Sequence, residues 1–222
     1  MTSPPTGRWT LLTRAYVGVL VARIVLFLTR GLLPVNSHLD TLQSPAQGAG
    51  FLASAVLGLV WLHRAWARVP QPSRRTYDER RVEPDEAIWK LFIPVYGAFY
   101  WMFIATIGLC GAVEHQLKRL RVRSPSVPST LALITCLVQL VPGVNLVVAP
   151  LLWGLFMTRV DTAQAEADHL EPEASKPSPI GALRVIGIAV GSILVGWGML
   201  VVLFVVIWQF LSPAGPHPTP PQ

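Results

Sequence analysis

The chain has 222 residues, 52% of them hydrophobic and only 14% charged, with a formal net charge of +6. A soluble domain carries roughly 25% charged residues, so this deficit, with its long apolar runs, points to a polytopic membrane protein and excludes a large soluble domain. The longest polar connections, 67–87 and 160–179, are too short to bury cores of their own. No folded domain offers a basic face, which argues against nucleic acid as a partner; in a membrane protein the positive balance reflects loops facing anionic lipid.

Residues 1–10 (MTSPPTGRWT) read as a short tail. The apolar stretch near 11–34 is too long, and too interrupted by arginine, for a secretory signal, so it reads as an uncleaved first span. Arg14 and Arg30 lie near its ends, where a long stem reaches the headgroups. Arg23 sits near its middle, where insertion costs about 2.5–3.5 kcal/mol. No Asp or Glu lies inside an apolar stretch to pair with it. Arg23 shares a helix face with Arg30, seven residues on. It either lines a cavity or meets a lipid phosphate, or it snorkels from a shifted span.

Residues 35–49 hold no Lys or Arg. A second span is expected near 50–66, with Trp61, His63, Arg64 and Trp66 as its interfacial edge. The loop that follows carries Arg68, Arg74, Arg75, Arg80, Arg81 and Lys90, interleaved with Asp78, Glu79, Glu83, Asp85 and Glu86. The bias of Lys and Arg toward the cytoplasm puts this loop and the N-terminus inside.

The third stretch, 88–113, is crowded with aromatic residues and interrupted by Pro94 and Gly97. It either crosses the membrane, which its length favours, or enters and returns, which the basic run Lys118, Arg119, Arg121 and Arg123 favours. The fourth, 131–158, is interrupted by Pro142-Gly143 and Pro150. One kinked span is the simpler expectation and a helical hairpin the alternative. Gln139 and Asn145 are its polar groups; they repair the bonds lost at Pro142 or serve a site at a broken helix.

The acids of 161–179 match no calcium loop or zinc motif and read as a solvated face. The last span, near 183–211, carries Gly187 and Gly191 at G-x-x-x-G spacing, a candidate packing seam. The tail 212–222 is Pro-rich and expected to be disordered. Cys110 and Cys136 fall in apolar stretches and read as small buried hydrophobes.

Trp61-Leu62-His63-Arg64-Ala65-Trp66, then Phe92-Ile93-Pro94 and Tyr100-Trp101-Met102-Phe103, form a pattern over about 50–160. It resembles the DUF4328-type bacterial multi-pass membrane proteins of unknown function. Ala98 and Phe99 stand where that family has Asn. The resemblance implies a bacterial inner membrane and no particular activity.

The sequence therefore predicts an all-α, polytopic helical membrane protein with a single membrane domain over 11–211. It has about five apolar segments, the third and fourth broken by Pro and Gly. No catalytic triad, zinc motif or phosphate-cradling loop is present, so no catalytic, cofactor or metal residues are assigned. The expected role is non-enzymatic. Basic cytoplasmic loops (Arg74, Arg75, Arg80, Arg81, Lys118, Arg119, Arg121, Arg123) would meet anionic lipid, a protein partner or a second copy of the chain. The alternative is a small transporter or channel using Arg23, Gln139 and Asn145.

Overall fold

The computed structural model describes residues 10–30, 38–93, 96–122, 127–141, 144–170 and 181–211. The tail 212–222 and nearly all of the tail 1–10 lie outside them. Among the described residues every regular element is helical, with one isolated antiparallel bridge between Arg75 and Arg81. Helix α1 is Leu11–Arg30 and α2 is His38–Arg68. A 3-10 turn, Gln71–Ser73, opens the loop that follows. Short α3 is Glu86–Trp89, prolonged as a 3-10 turn over Lys90–Phe92. Helix α4 runs through Tyr96–Arg119, with a π-helical stretch at Tyr100–Ile107. Then come α5 (Ser129–Gln139), α6 (Val144–Leu170) and α7 (Gly181–Leu211).

Three of the segment expectations change. The second helix is longer than 50–66, running from His38 through Pro45. The 88–113 stretch is not one run, because the backbone turns extended at Ile93, where the chain bends. A Cβ on Gly97 would lie 2.0 Å from the Leu91 carbonyl oxygen, so only glycine fits that bend. The 131–158 stretch is not one kinked helix. It is two helices, α5 and α6, packed side by side, and Pro150 sits inside α6. Pro94, Pro142 and Gly143 lie outside the described residues.

Leu11–Thr29, Pro45–Arg68 and Tyr96–Arg119 are long and apolar enough to cross a membrane, which suggests a membrane protein. Side-chain contacts show how the helices run. Going along α2 from Gly50 to Arg68, Arg23 of α1 lies beside Gly50 and Ser54, and Tyr16 lies deeper among the α2–α6 contacts. Helix α6 runs parallel to α2: Trp153 meets Gly58 and Trp61, Gln164 meets Ala65, and Asp168 meets Arg68. Helix α4 runs the same way. Trp101 stacks on Trp153 at 4.7 Å, and Trp66 Nε1 donates to the Ala105 carbonyl at 3.1 Å. Further along, Gly108 abuts Thr76, Gly111 abuts Tyr77, and the Tyr77 hydroxyl donates to Glu114 at 2.9 Å. So α4 returns to the loop that follows α2. The described parts of 86–119 thus form two arms of a V, 86–93 and 96–119, and Leu91, Gly97, Ala98 and Phe99 lie beside Gln139 and Leu140 at the end of α5.

Exposed large apolar side chains mark out a belt. On α2 they end at Val56, on α4 at Phe103 and on α6, until Leu170, at Leu155. Those positions sit at one level, since Gly58, Trp101 and Trp153 are mutual neighbours. Beyond that level α2, α4 and α6 close around Trp61, Trp66, Leu109, Leu117, Phe156 and Met157, all buried. Trp61 meets Trp153 and Phe156 edge-on at 6.0 and 5.8 Å; such pairs contribute about 0.5–1.5 kcal/mol each beyond area burial. Helix α7 is held at its start, where Arg184 meets Asp85 at 2.5 Å and Val185 is buried. Beyond it Ile188 still packs against the core, while Val190, Leu194, Val195 and most later described side chains are exposed. A Cβ at Gly187 or Gly191 would meet nothing within 4 Å, so the predicted seam has no partner within the described chain.

The end of α4 is a Schellman stop. The Val122 N–H donates to the Leu117 carbonyl (3.1 Å) and the Arg121 N–H to the Lys118 carbonyl (2.9 Å). Arg121 therefore takes φ 61°, a left-handed conformation that glycine normally fills.

Candidate functional site

Two of the polar residues expected at membrane depth meet at one cavity. It has a volume of about 470 Å³ and is walled by Phe51, Phe92, Trp101 and Trp153, with Arg23, Ser54 and Gln139 as polar members. Arg23 Nη1 donates to Ser54 Oγ at 3.2 Å, and the guanidinium lies 5.5 Å from the Phe51 ring centre. Ser54 in turn donates to the Gly50 carbonyl at 2.5 Å. Gly50 is what admits the arginine stem: a Cβ there would stand 2.7 Å from Arg23 Cγ. Arg23 Nε and Trp101 Nε1 are buried without a hydrogen-bond partner among the described residues. The π-helical stretch carries Trp101, and such irregular turns often accompany binding sites. Asn145 lies in the first turn of α6; its side chain is outside the described residues.

The charged cap beyond the belt is arranged differently from the expectation. The 69–90 segment holds five basic residues, Arg74, Arg75, Arg80, Arg81 and Lys90, against five acids, Asp78, Glu79, Glu83, Asp85 and Glu86. Each of the five bases meets one of three of these acids: Arg74 with Glu83 at 2.9 Å, Arg75 with Glu79 at 3.0 Å, Arg80 with Glu86 at 3.7 Å, Arg81 with Glu83 at 3.7 Å, and Lys90 with Glu86, while Asp85 meets His63 and Arg184. Arg74 also donates to the Val69 and Ala67 carbonyls at 2.8 and 3.3 Å, closing the end of α2. Arg74, Arg75, Arg80 and Arg81 thus build the loop, and their charge is matched there. Lys118 pairs with Glu114 at 2.6 Å. Arg119 ends α4, Arg121 is exposed, and Arg123 lies outside the described residues. Burial, and then the Glu114 carboxylate that accepts from its hydroxyl, push the Tyr77 phenol well above its ordinary pKa.

Asp161 is the residue that the sequence misplaced. It is 4% exposed rather than part of a solvated face. Thr13 Oγ1 and Thr10 Oγ1 donate to its Oδ2 at 2.5 and 2.9 Å, and Trp61 Nε1 donates to Oδ1 at 3.1 Å. Arg68 lies 3.8 Å from Oδ1 while pairing with Asp168. The carboxylate thus ties α1, α2 and α6 together. Its oxygens are filled by donors from the protein, and among the described residues no group of three His, Cys, Asp or Glu is placed to hold a metal ion.

Compared with known proteins, the chain matches no family model, no curated protein and no solved structure.

Proposed function

We propose that the chain is a non-enzymatic integral membrane protein whose cytoplasmic cap docks an acidic protein partner through Lys118, Arg119, Arg121 and Arg123. The observation that carries this reading is the strained Arg121 at the stop of α4. A left-handed backbone costs a non-glycine residue on the order of 1–2 kcal/mol, yet an exposed arginine occupies the place. The Schellman bonds hold the backbone there, and a long cationic side chain kept at a position that suits glycine points to a functional constraint. Partner and lipid readings separate by distance. Lys118 stands fifteen residues beyond Phe103, about 22 Å along the helix at 1.5 Å per residue. Each headgroup layer is only about 5–8 Å deep. The basic end of α4 therefore fits a partner above the membrane better than the membrane itself.

This reading takes 86–119 as a re-entrant V that enters and leaves on the side of the 69–85 loop, with the N-terminus on that side as well. Side-selective labelling of Ser124→Cys, with Cys110 and Cys136 replaced by Ala, tests it. Reaction from the N-terminal side is expected; reaction only from the far side refutes it. Arg121→Gly then separates function from stability. It relieves the strain and removes the charge, so the protein melts higher while cross-linking to its acidic partner falls. Unchanged cross-linking, or loss of binding to anionic vesicles in its place, refutes the partner reading.

A further inference from the structure

We propose that the Arg23 cavity binds the anionic head of an amphiphile drawn from the surrounding bilayer, with Arg23 as its cationic anchor. This site is separate from the cap and does not depend on the partner reading.

The direction of the Arg23 side chain is the first argument. Arg23 lies six residues from the Thr29 end of the apolar helix and twelve from its Leu11 end, about 9 Å and 18 Å respectively. A snorkelling arginine heads for the nearer surface. This one does the reverse: its stem lies over Gly50 and its guanidinium reaches Ser54, one turn along α2 toward the more distant end. It aims into the protein. The second argument is charge. Among the described residues no carboxylate lines the cavity or lies against the guanidinium, and Nε has no hydrogen-bond partner. A cation at this depth without a counter-charge is costly, and an incoming anion removes that cost. Arginine suits phosphate or carboxylate through its planar fork of donors.

The walls select the rest of the ligand. The head would meet Arg23, Ser54 and the free Trp101 indole N–H. Gln139 is the remaining polar amide of the lining, and the rest is apolar or aromatic. Two further apolar hollows adjoin the cavity. One of about 400 Å³ shares Arg23 and runs between Leu20, Phe27 and Val147. The other, about 610 Å³, shares Trp101 and Gln139 and runs along Phe99 and Leu140. Phe27, Phe99 and Leu140 are themselves exposed on the apolar belt, so both hollows open toward lipid. A charged head between apolar channels that open laterally fits a single-headed, chain-bearing anion of the bilayer better than a small soluble one.

The test uses the full chain in a neutral detergent, with dodecyl phosphate, inorganic phosphate and dodecanol as probes in thermal melts. Dodecyl phosphate is expected to raise the melting temperature saturably in the unmodified protein, and to do so at least ten-fold more weakly in Arg23→Gln. Ala55→Leu is the second variant. Ala55 lines the cavity at an exposed position of α2, so leucine there occludes the site while leaving Arg23 intact, and a ten-fold loss is expected again. An equal shift from inorganic phosphate would reassign the cavity to free anions and overturn the proposal. An equal shift from dodecanol would reduce it to an apolar groove and overturn it too. If Arg23→Gln fails to fold, full affinity in Ala55→Leu refutes the site by itself.

Discussion

Asp161 offers the sharpest test of the packing described for this chain. Asp161→Ala removes the acceptor shared by Thr10, Thr13 and Trp61. The Trp61 N–H is buried and left without a partner, which costs about 1–3 kcal/mol. Thr13, wholly buried, has Thr10 beside it at 3.0 Å, so the two hydroxyls satisfy each other in part. Arg68 keeps Asp168 and loses little. Adding the charge-assisted character of the lost bonds, the total is about 3–5 kcal/mol, as for other buried charged groups whose network is broken. Asp161→Asn keeps the shape and one acceptor oxygen, so about half of that loss is expected. Denaturation in mixed micelles followed by tryptophan emission measures both. A double-mutant cycle with Trp61→Phe should return a coupling of at least about 1 kcal/mol. A loss below about 1 kcal/mol for Asp161→Ala would mean that the carboxylate is solvated after all and that α1 is held by other contacts.

Two further outcomes follow from the cap. Arg74→Gln gives up two carbonyl bonds at the end of α2 and is expected to cost about 1–2 kcal/mol, whereas Arg81→Gln, with an exposed 3.7 Å pair, stays within about 0.5 kcal/mol; equal effects in the same melts would contradict the structural role of Arg74. Gly111→Ala places a Cβ 2.9 Å from the Tyr77 backbone nitrogen and 3.2 Å from its ring. Despite its better helix propensity it is expected to destabilise by about 1–3 kcal/mol and to speed proteolytic cleavage within 69–85. Unchanged cleavage would show that this loop is not seated on α4.

Much of the helical character was legible because apolar runs and turn residues speak locally. Arg23 and Gln139 were singled out as polar groups in apolar stretches, and they line one cavity because α1 and α5 both pass beside α6. The reversal between α5 and α6 was harder to read, since Pro142-Gly143 and Pro150 look alike in sequence, yet the helix runs on through the second. Asp161 was misread because its neighbours Glu166 and Asp168 suggest a solvated face, while the groups that bury it lie 100 and 148 residues away. A cue was present in Thr10, Thr13 and Trp61, but no local pattern relates them to Asp161. The pairing of the loop arginines is hard to read in sequence for a different reason. Orientation rules count Lys and Arg alone, whereas the surface field depends equally on the carboxylates folded against them.

The contact between Trp101 and Trp153 has a use beyond packing. Two indoles stacked at 4.7 Å with an interplanar angle of 29° share their electronic excitation. One belongs to the π-turn of the V and the other to the rising arm of the α5–α6 hairpin. Their exciton couplet in circular dichroism exists only while the two are docked, so it gives a built-in optical gauge. Helix content can persist through partial melting, but the part of this band that comes from Trp101 is lost when the V lifts from the hairpin, leaving the weaker coupling of Trp61 and Trp153 at 6.0 Å.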